Sequence, residues 1–264
     1  MVVRTGPSGR RSVSAEVEVP GTPELVWAAI ATGPGMSSWL VPSTCDERVG
    51  GTVRNDFGPG MESVGTIRKW GPPWRFILES EEGPGTITTE WSVEIRPRRK
   101  CGVRVVHEWV ASSDAWDSQF EDYAYGWQAF FRILRLYLTH FAGQKNAGFQ
   151  LRAFSGSSPL KTWSALLEGL DIRDDTRQVA TAPEAPTLSG KVERQGTDAN
   201  PELLLLLDRP APGLAHLFVM PMAEHVLLSV RYYLFGEQAS EAAKAAEREW
   251  SDWLARQFPA PMSW

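Results

Sequence analysis

Four histidines, two cysteines and 32 carboxylates are the side chains of this 264-residue sequence with acid, base, nucleophilic or metal-ligating chemistry, and their spacing decides which chemistry is open to it. His107 is the most informative. It sits in Cys101–Val110, where Val103, Val105, His107 and Trp109 alternate with Arg104, Val106 and Glu108, so a strand turns the histidine onto an apolar face. There it can donate to a ligand carbonyl or transfer protons near neutral pH, or it can be a core histidine with its hydrogen bonds satisfied. An acid–base role needs a second polar group on the same face, and the adjacent carboxylate, Glu108, belongs to the other one.

The remaining candidates are weaker. Glu90 and Glu94 fall on the outer face of a strand over Thr86–Arg96. Glu121 and Asp122 open a helix, where negative charge suits the helix dipole rather than paired-carboxylate catalysis. His140, His216 and His225 have no ligand spacing, and Cys45 and Cys101 form neither a CxxC motif nor a pair beside histidines. Serine-triad, phosphate-loop and HExxH patterns are missing. No catalytic residue, metal or cofactor is therefore expected.

Aromatic residues carry the stronger signal. Twelve tryptophans are more than a chain of this length needs, and each removes a large area from water. Rigid rings of this kind either fill a core or line an apolar pocket. The stretch that organises them is Glu121–Phe141, in which Tyr123, Trp127, Phe130, Phe131, Leu134, Tyr137, Leu138 and Phe141 recur at steps of three and four. That spacing places them on one wide helix face, with Gln128, Arg132, Arg135 and Thr139 opposite.

The elements ahead of this helix are strands and one short helix. Val13–Val19 alternates and reads as a half-buried strand ended by Pro20-Gly21. Thr22-Pro23-Glu24 supplies a cap and a first-turn proline for a helix over Glu24–Ala31, which Gly33-Pro34-Gly35 stops. Met36–Val41, with Trp39, reads as a turn. Strands are then predicted over Thr52–Phe57, Ser63–Trp70, Trp74–Ser80, Thr86–Arg96 and Cys101–Val110, separated by Gly58-Pro59-Gly60, Gly71-Pro72-Pro73 and Gly83-Pro84-Gly85. Short strands with short turns make an antiparallel meander. Ile87, Thr89, Trp91, Val93 and Ile95 share one face, so Trp91, His107 and Trp109 are expected to look toward Trp127, Phe130 and Phe131.

Gly143–Gly148 reads as a linker, after which the pattern recurs. Val13–Gly33 aligns with Phe149–Gly169 without a gap at an offset of 136, matching Thr22-Pro23 with Ser158-Pro159 and Trp27 with Trp163. Strands follow over Thr187–Arg194, Glu202–Asp208, Leu214–Pro221 and His225–Phe235, then a terminal helix over Ala239–Phe258. Asp171–Pro186, polar and rich in Pro and Ala, takes the place of a pair of strands. The expected fold class is α+β, a curved antiparallel sheet wrapped around a long C-terminal helix and repeated twice in tandem. The expected divisions are a flexible tail at 1–11, a first domain at 12–142, a linker at 143–148 and a divergent second domain at 149–264.

Charge and composition limit the partners. A net charge of -5 argues against a nucleic-acid binder, and the basic cluster Arg96, Arg98, Arg99 and Lys100 reads as a solvated hairpin tip. Met1–Arg11 lacks the apolar core of a signal peptide, Leu203–Leu207 is too short to span a membrane, and the cysteine usage fits a reducing compartment. A cytoplasmic protein without a transmembrane segment is expected.

The helix-entry motif Thr22-Pro23-Glu24-Leu25-Val26-Trp27, the Trp39 turn and the Gly65–Ile77 segment with its Trp70-Gly-Pro-Pro-Trp74 turn resemble the START-like superfamily known as SRPBCC. So do the Thr86–Val93 and Val103–Trp109 pair and the Gly126-Trp127 to Leu138 helix. More narrowly, residues 13 to 141 resemble homologues of the activator of the ninety-kilodalton heat-shock chaperone's ATPase. The resemblance implies a helix-grip fold with a largely apolar interior. It also implies one of three roles: binding of lipids or other hydrophobic molecules, polyketide cyclisation or dehydration, or action on a chaperone. The reading it favours is non-enzymatic binding of a hydrophobic small molecule or lipid. Trp39, Trp91, His107, Trp109, Trp127, Phe130, Phe131 and Leu134 are the candidate ligand-binding residues, with a chaperone as the alternative partner.

Overall fold

The computed structural model describes residues 3–6, 9–58, 60–82, 85–110, 117–173, 177–222 and 224–259. The chain falls into two compact units, Met1–Ala142 and Gly143–Trp264.

The first unit contains β1 (Arg4–Thr5), β2 (Arg10–Pro20), α1 (Pro23–Ala31), α2 (Gly33–Ser37), β3 (Ser43–Cys45), β4 (Thr52–Asp56), β5 (Glu62–Gly71), β6 (Arg75–Glu82), β7 (Gly85–Arg96), β8 (Lys100–Val110) and α3 (Asp117–His140). Its strands form one antiparallel sheet of eight in the order β1-β2-β8-β7-β6-β5-β4-β3. Helix α3 packs on β2, and its buried face presents Phe131, Ile133, Leu134, Tyr137 and Leu138 to the interior, continued by Phe141 just beyond its end. This is a sheet closed on a long helix, the helix-grip arrangement. The sheet's outer face is polar and ion-paired, as in Arg68 with Glu79, Arg75 with Glu90 and Arg96 with Glu16.

Helix α1 starts as its sequence dictates. The Thr22 hydroxyl accepts from the Leu25 N–H, and Pro23 occupies the first turn, where no backbone donor is missed. Gly33-Pro34-Gly35 does not simply stop it. Thr32 closes α1 by donating to the Ala28 carbonyl at 2.8 Å and opens α2 by accepting from the Gly35 N–H at 3.0 Å. The two helices meet so closely that a Cβ on Gly35 would stand 1.9 Å from the Ala28 oxygen.

The second unit follows the same circuit. It contains β9 (Asn146–Ser155), α4 (Pro159–Leu170), β10 (Gln178–Ala180), β11 (Ser189–Thr197), β12 (Asn200–Arg209), β13 (Gly213–Met222), β14 (His225–Phe235) and α5 (Ala239–Gln257). The sheet order is β10-β11-β12-β13-β14-β9, so the opening strand again lies beside the last one and the meander runs away from it. Ser158 caps α4 through the Lys161 N–H as Thr22 caps α1, with Pro159 at the matching position. Trp163, Leu166 and Leu170 of α4 and Trp250, Trp253 and Leu254 of α5 share one core with the inward residues of β12, β13 and β14.

Several expectations are corrected. The residues read as a flexible tail include β1 and the start of β2, because backbone pairing at a sheet edge needs no apolar side chains: Arg11 pairs opposite Trp109 and Thr5 opposite Arg11. Residues 1–2 and 7–8 of that tail lie outside the described set. Asn146–Gly148, read as linker, begins β9, and Gly148 is a glycine because a Cβ there would meet the Tyr232 oxygen at 2.4 Å. Among the described residues of Asp171–Pro186 there is one strand, β10. Helix α3 begins at Asp117, four residues before the predicted start. The side chains of Glu121, Asp122 and Tyr123, and the turn residues Pro59, Gly83 and Pro84, lie outside the described residues. Ile95, expected to point inward, is 68 % exposed because β7 outruns the core.

The α1–α2 elbow gives the first prediction. Gly35→Ala will lower unfolding stability by about 3 kcal/mol, since the added methyl meets backbone that cannot yield. Gly156→Ala, with open space around it, will change stability by less than about 0.5 kcal/mol. Urea denaturation followed by tryptophan fluorescence measures both.

Candidate functional site

The interior of the first unit is built around Trp39, which follows the elbow and is completely buried. Its indole N–H donates to the Ala29 carbonyl at 2.9 Å. Its ring lies 6.3 Å from Trp91 of β7, and 6.5 Å from Trp127 and 6.4 Å from Phe131 of α3, centroid to centroid. Trp91 meets Trp127 edge-on at 5.1 Å and stacks on Phe76 of β6 at 6.0 Å. These separations are those of rings in contact, so Trp39, Trp91 and Phe131 fill the space between sheet and helix. Leu134 is fully buried one turn further along α3. Trp127 and Phe130 are only half-buried, and Phe130 meets half-buried Phe57 at 6.2 Å. Trp109 stands apart from these rings, packed with Val13 and Ile87. An open groove of about 290 Å³ lies where Ala15, Glu16 and Val17 of β2 face Gln128, Phe131 and Arg132 of α3.

His107 joins the aromatic set through hydrogen bonds that fix its state. Trp127 Nε1 has only a proton to give, and it lies 2.8 Å from His107 Nε2. Nε2 is therefore the acceptor, and the ring proton of the neutral imidazole sits on Nδ1. Nδ1 lies 2.9 Å from the hydroxyl of Thr89, directly opposite on β7, and donates to it. The Thr89 oxygen accepts that proton's bond and keeps its own hydrogen to give. Burial pushes the His107 pKa down to about 4, and a bond accepted at Nε2 favours the same neutral form. At neutral pH the arrangement is thus a directed chain, Trp127 to His107 to Thr89, without a mobile charge. Thr89 was absent from the candidates; only the cross-strand register pairs it with His107.

A second polar cluster escaped sequence reading altogether. In the second unit Glu202 of β12 receives a hydrogen bond from Arg194 of β11 and one at 3.0 Å from Nε2 of His216 on β13. Burial opposes ionisation of Glu202, yet these two partners outweigh it and hold the carboxyl near 2. Arg231 of β14 lies 4.8 Å over the Phe218 ring, and its Nε donates to Gln150 at 2.8 Å. Strand register brings these residues together from five strands, which no linear spacing shows.

An α+β helix-grip with an aromatic interior and one internal polar chain defines the class of protein. Residues 20–139, within the first unit, match the family described as activator of Hsp90 ATPase homolog 1-like protein. No curated protein matches the sequence. Among solved structures, CalU16 from Micromonospora echinospora is 18 % identical, over 53 % of this chain and 83 % of its own, with a TM-score of 0.42. DynU16, a putative protein in the dynemicin biosynthetic locus, is 15 % identical over 94 % of this chain and 95 % of its own, at 0.44. The di-domain ARO/CYC BexL from the BE-7585A biosynthetic pathway is 12 % identical over 95 % and 99 %, at 0.43. Likeness at this level transfers no residue roles.

The state of His107 has a measurable consequence. Its folded pKa of about 4 lies below the unfolded value near 6.5, so its contribution to stability is complete above pH 6.5 and is lost as pH falls toward 4, by about 3 kcal/mol. Imidazole NMR shifts will place the midpoint near 4 in the native protein. Trp127→Phe, which removes the donor to Nε2, will raise it.

Proposed function

We propose that the first unit binds an apolar small molecule or lipid-like chain without transforming it, on the half-buried ring surface of Trp127, Phe130 and Phe57. The observation that carries this reading is the Trp127–His107–Thr89 chain. Both nitrogens of His107 are engaged and its neutral form is held, which suits orientation and disfavours proton transfer. Thr89 offers a hydroxyl hydrogen beside apolar rings, where a carbonyl or carboxyl oxygen of the ligand finds a donor. Trp39, Trp91, Phe131 and Leu134 act as the packed backing that fixes those rings. Affinity comes from apolar burial, with the single polar contact setting orientation. Acid–base cyclisation or dehydration is the alternative enzyme reading; the two described hydrogen-bond partners of His107, Trp127 and Thr89, supply no group that titrates near neutral pH.

The family match over residues 20–139 favours a second reading, a heat-shock chaperone as protein partner. Cys45 and Cys101 are both free thiols, in keeping with residence in the cytoplasm. No helix among the described residues is long and apolar enough to cross a membrane.

Native mass spectrometry of the purified protein, followed by denaturing extraction, tests the proposal directly. A co-purifying hydrophobic molecule is the expected result, and a fluorescent fatty-acid probe will bind to the emptied protein. Trp127→Ala will weaken probe binding at least about tenfold, and Thr89→Val about fivefold, whereas Trp109→Phe will leave it unchanged. A protein that carries nothing and ignores the probe sinks the binding hypothesis; stimulation of a chaperone ATPase by that empty protein then establishes the second reading.

A further inference from the structure

The β7–β8 hairpin tip, Pro97-Arg98-Arg99, joins Arg96 to Lys100 with two consecutive arginines in the left-handed region, at φ 63° and 56°. Asn and Gly occupy that region with less strain and dominate hairpin turns that need it. Packing does not demand arginine here, because both side chains project into solvent. Arg96 and Lys100 are already paired with Glu16, Glu94 and Glu18 on the outer sheet face. Among the described residues Arg98 and Arg99 make no ion pair and stand as uncompensated charge at the tip.

Large apolar side chains surround that tip. Ile95, next to it on β7, is 68 % exposed and Trp74 is 45 % exposed. The Trp74 carbonyl accepts from the Val93 N–H, which sets Trp74 diagonally across from Ile95 on the adjoining strand. On the other side the Gly21 N–H donates to the Arg99 carbonyl, and Leu25, itself 36 % exposed, lies over Gly21, within 3.1 Å of where a Cβ would be. Trp, Ile and Leu standing out from a turn, a strand end and a helix end, beside two free arginines, match a bilayer interface, where apolar groups sink and cations meet lipid phosphates. An acidic peptide would instead call for a groove, and these side chains project from the surface.

We propose that this end of the first unit docks on anionic phospholipid membranes, with Leu25, Trp74 and Ile95 inserting and Arg98 and Arg99 contacting lipid phosphates. The inference stands apart from the ligand-binding reading: it concerns a different surface and survives if the aromatic site proves empty.

The test is co-sedimentation of the full chain with phosphatidylcholine vesicles containing or lacking phosphatidylserine. Binding is expected only with phosphatidylserine and will fall as salt rises. Arg98→Asn with Arg99→Gly should weaken it about 30-fold while raising the melting temperature, because the turn is relieved of strain. Loss of binding in a more stable protein separates docking from unfolding. Trp74→Ser with Ile95→Ser retains the charge and should leave only a weak, salt-sensitive association. Failure of the native protein to bind phosphatidylserine vesicles, equal binding by the Asn-Gly variant, or binding to polyglutamate in place of vesicles would each overturn the proposal.

Discussion

The buried hydrogen bond from the Trp39 indole to the Ala29 carbonyl fixes the first unit. An indole N–H taken out of water without a partner costs about 1–3 kcal/mol, so a ring that is wholly inside must be aimed at an acceptor. The end of α1 supplies one only because the chain folds back at once through Thr32 and Gly35. Once aimed, the ring touches Trp91 on the sheet and Trp127 and Phe131 on the long helix. Three elements distant in sequence are thereby held against one side chain. These rings pack against one another inside the unit, and Trp127 and Phe130 remain half-buried at its rim.

Local pattern made much of this legible. Alternation over Val13–Val19, Ile87–Val93 and Val103–Trp109, and the Thr-Pro cap of α1, locate strands and helix because their causes lie within a few residues. Helix α2 was hidden because Gly-Pro-Gly reads as a stop; its true cause is that one threonine side chain serves two helix ends. Ile95 obeys the alternation but lies where the strand has passed the core, and period says nothing of where a core ends. The candidate rings divide in the same way: Trp39, Trp91, Trp127, Phe130 and Phe131 converge, whereas Trp109, on the expected face, packs elsewhere. The partners of His107 depend on register and helix rotation, which the sequence encodes only through the whole fold.

Comparison of the two units shows how one circuit carries two kinds of sheet. The helix-entry repeat at an offset of 136 reappears as the same cap, the same proline and the same neighbouring of first and last strands. The outer faces differ. In the first unit that face bears exposed ion pairs. In the second, Leu204, Leu214, Leu227, Tyr233 and Phe235 are buried on the side opposite the α4–α5 core, together with His216 and Ser229. The unbroken run Leu203–Leu207 is the sequence sign of strands covered on both sides. Charges drawn into such a face need partners, and the Arg194–Glu202–His216 cluster provides them: Glu202 stays ionised against the cost of burial because two donors converge on it.

Two residues of the first unit depart from what packing and local preference alone would choose. His107 is held neutral by a tryptophan donor, although a leucine or valine would fill the same strand position without needing one. Arg98 and Arg99 hold a backbone conformation that asparagine and glycine take with less strain. Neither arrangement is required to close the sheet on α3, which the interlocked rings already do. A chain under selection for stability alone would discard both. Their presence follows if the rim of the interior and the tip of the hairpin are used for recognition, the first through an aimed hydroxyl beside aromatic rings and the second through free cations beside exposed apolar groups.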